Sequence, residues 1–382
     1  MKVCIVGGGP CGMFLAILLK SRGTADDILV LEQNPKDATY GFGVGLARSA
    51  IDKLNEADPP TMQALERRMY PTNVQVIENC AGEFALEFTR PNGMITRLEI
   101  LKVLERRCAE LGVDVRHDVR IDDLGAFDDC DLIVGADGAN STVRRLHAEE
   151  FGTRYEKRGN YFVWYGCEHP GHESGLRFRR YRGGGIVAHY YAYTPEMWTF
   201  VGEVDERSWH ALGMDRMTNA GRKALCEQAF DDLLDGRPLV ENKSEWMQFE
   251  AIVNECWSVG NRVLIGDALY RAHYSIGSGT RLAMEDALGL ANALEASSND
   301  IPASLAAFEA EGRPRKQRLM VAGKLSYEWY ERFPQKLDMP ILDFILDFMD
   351  RTGRMPRDRL RGFAPNFAEA VEAREASRQR EV

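Results

Sequence analysis

The chain is poor in the residues that build metal and nucleophile sites. It has 7 histidines and 6 tryptophans, and its 8 cysteines are scattered. Cys4, Cys11, Cys80, Cys108, Cys130, Cys167, Cys226 and Cys256 show neither CxxC nor metal-ligand spacing, so no metal is expected. Several lie inside apolar runs and read as buried thiols, which fits a reducing cytoplasm. No run of about 18 apolar residues occurs, so no membrane span is expected. A basic excess is also lacking. Lys and Arg number 48 against 58 Asp and Glu, and a net charge of −10 argues against a nucleic-acid partner. No internal repeat, low-complexity linker, GxSxG turn or Ser-His-Asp pattern is present. What remains is a chain of 382 residues, 45% hydrophobic, long enough for roughly two domains.

The most informative segment is MKVCIVGGGPCG at the start. Lys2 to Val6 read as a short buried strand, and Met13 to Lys20 read as a helix. Between them Gly7, Gly9 and Gly12 stand at Gly-x-Gly-x-x-Gly spacing. The first glycine makes a tight turn, the second admits a pyrophosphate, and the third lets helix and strand pack closely. Free N–H groups at the helix start then face the phosphates. Ile28 to Leu31 form a second strand ending in Glu32, 20 residues after Gly12, where an acid binds a ribose. These glycines and the helix are used by the motif, so the apolar start is not read as a signal peptide.

Further along, Tyr40 to Gly45 form a Gly-rich aromatic loop, and Val74 to Phe88 read as a hairpin turning at Cys80-Ala81-Gly82. Arg97 to Leu111 is a helix with Leu98, Leu101, Leu104 and Cys108 on one face. Val113 to Val119 and Asp131 to Val134 read as strands, the second running into Gly135-Ala136-Asp137-Gly138. Arg158 to Val204 read as a sheet of a different kind, and Arg216 to Leu234 as helix. Val263 to Ile265 form a strand that ends in Gly266-Asp267. A turn at Gly277, Ser278 and Gly279 then leads into a helix over Leu282 to Leu294. An acid such as Asp267 holds sugar or ribityl hydroxyls, and the helix start stabilises negative charge on a reduced ring. Residues from about Ala306 on read as mostly helical, and Glu369 to Val382 as a charged, frayed end.

The order and spacing of these motifs resemble the group A flavoprotein aromatic monooxygenases over roughly residues 1 to 325. The Arg of ITRLEILKVLERR and the DG and GD motifs carry the likeness. FGVG, RYEKRGNYFVWYG and HYSIGSGT are similar to a subgroup of salicylyl-CoA hydroxylase, 2-aminobenzoyl-CoA monooxygenase and violacein-pathway tryptophan hydroxylase type. The resemblance implies an α/β fold: a Rossmann-like FAD-binding domain with an inserted β-sheet substrate domain and C-terminal helices. Residues 1–72, 95–157 and 258–325 would form the FAD domain, 73–94 and 158–257 the substrate domain, and 326–382 a helical segment. Gly7, Gly9 and Gly12 would cradle the FAD pyrophosphate and Glu32 the ribose. Arg97 would touch the phosphate or ribityl region. Asp137 and Gly138 are linked to FAD and NAD(P)H, Asp267 to the ribityl or pyrophosphate end, and Gly277, Ser278 and Gly279 to the isoalloxazine. NAD(P)H would reduce FAD, and molecular oxygen would form a flavin hydroperoxide that attacks an electron-rich ring: an aryl-CoA thioester, an aminoaryl compound or an indole. The chain departs from the common pattern at Leu269 and Tyr270, where many members have Ala-His, and at His273 and Tyr274, where many have a proline pair. The reductase half fused to some 2-aminobenzoyl-CoA enzymes has no counterpart, which favours a simple hydroxylase.

His273 and Tyr274 are the candidate catalytic residues, since they adjoin the flavin turn and histidine titrates near neutral pH. Phe42, Trp164, Tyr165, His189 and Tyr191 are candidate pocket residues. Arg177, Arg179, Arg180 and Arg182 would grip phosphates or a carboxylate, but read more simply as a charged strand face. The aromatic stretch Tyr327 to Phe348 reads as packing or a homodimer face. The alternatives are a flavin-dependent halogenase, whose Trp-x-Trp-x-x-Pro motif is absent, and a non-catalytic FAD-binding accessory protein.

Overall fold

Val3, Cys4, Ile5 and Val6 are all buried, as in a strand covered on both faces. That strand is the centre of the first of two sheets. The computed structural model describes residues 1–38, 41–277, 279–353 and 357–380. Among them the strands, in chain order, are β1 (Lys2–Val6), β2 (Asp27–Leu31), β3 (Gly43–Leu46), β4 (Tyr70–Asn79), β5 (Gly82–Thr96), β6 (Asp114–Arg116), β7 (Leu132–Gly135) and β8 (Arg154–Glu168). They continue with β9 (Ser174–Tyr181), β10 (Gly184–Ala192), β11 (Met197–Val204), β12 (Leu239–Val240), β13 (Met247–Val253), β14 (Ser258–Val259) and β15 (Arg262–Leu264). The first sheet runs β14-β15-β7-β1-β2-β6. Only the β14–β15 pairing is antiparallel. The carboxyl ends of its parallel strands therefore open onto one edge, where ligands of such sheets bind.

The second sheet runs β12-β8-β11-β10-β9-β4-β5-β3, with β13 also paired to β8. Its strands alternate cleanly between faces. Val163, Tyr165, Cys167, Ala188, Tyr190, Trp198 and Phe200 pack against the helices over residues 206–234. The next residues along, including Phe162, Trp164, His189 and Glu203, point to the opposite face.

The hairpin over Val74 to Phe88 forms as the spacing predicts, and it joins this second sheet. The strand expected over Val113 to Val119 is limited to Asp114–Arg116, and the helix expected over Arg216 to Leu234 splits into Asn219–Ala229 and Asp231–Leu234. Tyr327 to Phe348 is not one helix. Helix Ile301–Arg332 ends before Pro334, and helix Ile341–Asp350 starts after Pro340. The expected frayed end needs correction. Helix Pro365–Arg380 buries Phe367, Ala368 and Val371, and Arg374 pairs with Asp343 at 2.8 Å. Its apolar first turns close a third cluster around Phe178, Trp329, Tyr330 and Phe344, so packing overrides the charged composition. Arg177 and Arg179 pair with Glu78 and Asp232, and Arg180 with Asp338, which is the plain structural reading of that basic run. The described cysteines form no disulfide. No helix among the described residues is long and apolar enough to cross a membrane.

Candidate functional site

The glycine turn after β1 is forced by close approach. Gly7 has φ +112°, and a Cβ there would sit 2.4 Å from the Ala136 carbonyl oxygen. A Cβ on Gly12 would sit 2.1 Å from the Gly7 oxygen. Gly9 is different, because nothing lies within 4 Å of its Cβ position. It caps helix Pro10–Ser21 with no side-chain hydrogen bond and no acid in the first turn. The helix start is thus left open for an anion.

Four groups surround that opening at the ends of the parallel strands. Glu32 accepts from the backbone N–H of Gly8 at 2.8 Å and of Asn34 at 2.8 Å, so its position is fixed by the turn it faces. Arg97 begins helix Arg97–Glu110, and its Nε is buried without a partner. Burial lowers the Arg97 pKa, and Asp267 opposes that shift. Asp137 caps Thr142 N–H at 2.6 Å with one oxygen, while its other oxygen is buried without a partner. Asp267 makes no hydrogen bond or ion pair to a described residue. Burial pushes its carboxyl pKa up, against the pull of Arg271, Lys316 and Arg97. Gly138, Gly277 and Gly279 each have nothing within 4 Å of a Cβ position. Open glycines, an unpartnered guanidinium nitrogen and unpartnered carboxylate oxygens around one cleft fit a long, polar, anionic cofactor such as FAD. Ser278 lies outside the described residues. Asp267→Ala is expected to fold but lose FAD on gel filtration; retention equal to the parent would rule out a cofactor-holding role.

The GD turn is held from behind. Asp286 accepts the Gly266 N–H at 3.1 Å and pairs with the buried Lys316 at 2.5 Å.

Just before Gly277 the chain passes through a buried aromatic cluster. The rings of His273 and Tyr274 lie 4.3 Å apart, Phe162 lies 4.5 Å from Tyr274, and Phe249 lies 4.7 Å from His273. His273 Nδ1 accepts from the Ser275 N–H at 3.2 Å and lies 2.8 Å from Ser275 Oγ. Its proton therefore sits on Nε2, which is buried without a partner. Burial lowers the His273 pKa to about 4. This histidine is a neutral donor aimed into the cluster, with its basic nitrogen already used. Tyr274 OH is also buried without a partner, and burial pushes its pKa well up. His189 joins the same cluster, stacked at 5.3 Å on Tyr330.

The other expected pocket residues divide. Phe42 packs on Gly166, and Trp164 covers Gly41, so both close the Gly-rich loop onto the sheet. Tyr191 donates to the Gly43 carbonyl at 2.8 Å, which spends its hydroxyl on holding that loop. Tyr165 faces the other way, into the second core cluster, because neighbours along a strand point to opposite faces. Sequence reasoning missed Glu203, Asn160 and Arg351. Glu203 had a signal, a lone acid in the apolar strand MWTFVGEV. Arg351 had none.

Open glycines and unpartnered polar atoms at the ends of a parallel sheet, next to a buried aromatic cluster, fit a flavoprotein of the aromatic-hydroxylase type. The chain belongs to the FAD binding domain family, whose model matches residues 1–125 and 128–322. It is 34% identical to salicyloyl-CoA 5-hydroxylase of a Streptomyces species, over 94% of this chain and 71% of that one. It is 36% identical to 3-hydroxy-4-methyl-anthranilyl-[aryl-carrier protein] 5-monooxygenase of Streptosporangium sibiricum, over 93% of this chain and 95% of that one. Its fold matches 2-methyl-3-hydroxypyridine-5-carboxylic acid oxygenase with a TM-score of 0.73 at 18% identity, covering 92% of this chain and 95% of that one. These matches favour ring hydroxylation over the halogenase alternative.

Proposed function

We propose that the chain hydroxylates an electron-rich aromatic ring carried as an aryl thioester, with NADH or NADPH as electron source. The carrying observation is the aromatic cluster beside Gly277. Its walls are the rings of Phe162, Phe249, Tyr274 and Tyr330; His273 Nε2 is buried within it without a partner, and Tyr274 OH is buried beside the Glu203 carboxylate. Buried polar atoms left unpaired are costly, so such a convergence calls for a polar ring substituent. Bound FAD would supply the oxygen-activating redox chemistry. Gly7, Gly9, Gly12, Glu32, Arg97, Asp137, Gly138, Asp267, Gly277 and Gly279 would hold it. His273 Nε2–H would donate to the substrate and orient it, and the aromatic walls would exclude water. The two relatives named above act on a CoA thioester and a carrier-bound aryl group by their names, which supports the thioester class.

The test is a panel of free aromatic acids, their CoA thioesters and indoles, scored for gain of one oxygen atom with NAD(P)H. Oxygen gain by hydroxyaryl thioesters is the expected result. Bound FAD with no nicotinamide oxidation on any member would overturn the proposal.

A further inference from the structure

Glu203 is fully buried, and the flavin-holding residues do not account for it. It pairs with Val187 across β10 and β11, and His189 pairs with Val201, so Glu203 and His189 are diagonal neighbours on one face. Asn160, on β8, reaches the same carboxylate. Its Nδ2 donates to Oε1 at 2.7 Å. His189 Nε2 lies 3.3 Å from Oε2, in ion-pair range but short of hydrogen-bond alignment. Catalytic contacts are often loose before substrate binds.

Every other charged or titratable group that bears on Glu203 comes from an element packed on this face. His273 and Tyr274 come from the loop after β15, Tyr330 from helix Ile301–Arg332, and Arg351 from the end of helix Ile341–Asp350. Arg351 is spent on other acceptors, donating to Ser275 O, Ser326 Oγ and Phe348 O. His273 is neutral, with its basic nitrogen occupied. Burial pushes the Glu203 carboxyl pKa up, but the donors of His189 and Asn160 pull it below its ordinary value. A buried carboxylate needs a cation or strong donors. His189 is the one imidazole whose Nε2 faces this carboxylate, at 3.3 Å. Its Nδ1 has no partner among the described residues, and its side chain keeps 17% exposure while Glu203 has none.

We infer that Glu203 and His189 form a proton-accepting pair for the ring hydroxyl of a hydroxyaryl substrate. This rests on the hydroxylase reading above. Nε2–H of His189 faces Glu203, which leaves Nδ1 unprotonated and open to the aromatic cluster. The substrate O–H bond breaks, an N–H bond forms at Nδ1, and the resulting imidazolium is matched by the Glu203 carboxylate. The bound ring becomes a phenolate, a stronger nucleophile toward an electrophilic oxygen. His189 is the catalytic residue in this scheme, and Glu203 is a positioning residue that sets its tautomer and stabilises its charge.

The experiment uses oxidised, FAD-loaded enzyme with no nicotinamide, titrated with salicyloyl-CoA and followed by ultraviolet difference spectra over a pH series. The bound probe should ionise at lower pH than the free probe. In Glu203→Gln, which preserves shape and an acceptor for Asn160, its apparent pKa should rise by about one unit or more, a tenfold loss of phenolate at a fixed intermediate pH. His189→Asn should show the same rise, and it carries the test alone if Glu203→Gln fails to fold. Flavin absorbance and melting midpoint report on folding, and a merely structural role would move those without moving the probe. A bound probe that titrates like the free one, or variants that match the parent, would overturn the pair while oxygen gain by thioesters still upheld the hydroxylase reading. Failure of salicyloyl-CoA to bind, with no oxygen gain by any hydroxyaryl thioester, would overturn both.

Discussion

Asp286→Ala is expected to unload FAD and to cost about 3–5 kcal/mol of stability, because it leaves a buried ammonium uncompensated. The ammonium is Lys316, which is 4% exposed and 2.5 Å from the carboxylate. Arg315, at 3.3 Å, adds a second positive charge to the same acid. A loss of that size should lower the melting midpoint by roughly 4–6 °C. The flavin effect has a separate cause. Asp286 also accepts the Gly266 N–H, and Gly266 sits at φ +62° in the turn that aims Asp267. The two effects separate in the double variant Asp286→Leu, Lys316→Met. Replacing both ions by apolar groups should return much of the lost stability. It should not return flavin affinity, since the Gly266 N–H still lacks its acceptor. Calorimetry and the flavin-to-protein absorbance ratio read the two quantities independently. A double variant that regains FAD along with stability would show that the carboxylate acts only as a counter-ion.

The strand-end positions proposed for the cofactor were legible because they are set locally. Gly7, Gly9 and Gly12 lie within one turn, and steric clearance at two of them leaves no substitute for glycine. Glu32, Asp137 and Asp267 each end or follow a strand, so their places at the strand ends could be read from the strand pattern. The substrate end is a meeting of distant segments. Trp164 and Tyr165 look alike in sequence, yet one covers Gly41 and the other fills the opposite core. Only strand register decides between them, and a one-residue shift would exchange their roles. His273 reads as a titrating base until the Ser275 N–H is seen on its Nδ1. The carboxylate that faces His189 is 14 residues further on, in the neighbouring strand. The C-terminal stretch misled for a related reason. Its charge is real, but the first turns of helix Pro365–Arg380 carry enough apolar surface to dock on the third cluster.

Arg351→Ala should leave FAD bound while product formed per nicotinamide oxidised falls about tenfold or more, as expected when reacting groups lose their alignment. The side chain is half-buried, and burial lowers its pKa. Its guanidinium ties three segments together. Nη2 donates to the Ser275 carbonyl at 2.9 Å, Nε to Ser326 Oγ at 3.0 Å, and Nη1 to the Phe348 carbonyl at 2.7 Å. Its flat face lies 3.9 Å from the Phe348 ring centre. Ser275 is the residue that fixes the His273 tautomer, and it lies two positions before Gly277. Releasing its carbonyl therefore loosens the aromatic cluster and the turn beside the cofactor at once. Its hydrogen bonds go to none of the acids or glycines proposed to hold FAD, which is why cofactor content should survive. Arg351→Lys should recover only part of the loss, since a single ammonium cannot span three acceptors in one plane. Hydrogen peroxide release measured against product formation checks both variants. Unchanged coupling in Arg351→Ala would mean that the 274–276 turn holds its shape without the C-terminal segment, and would confine Arg351 to packing.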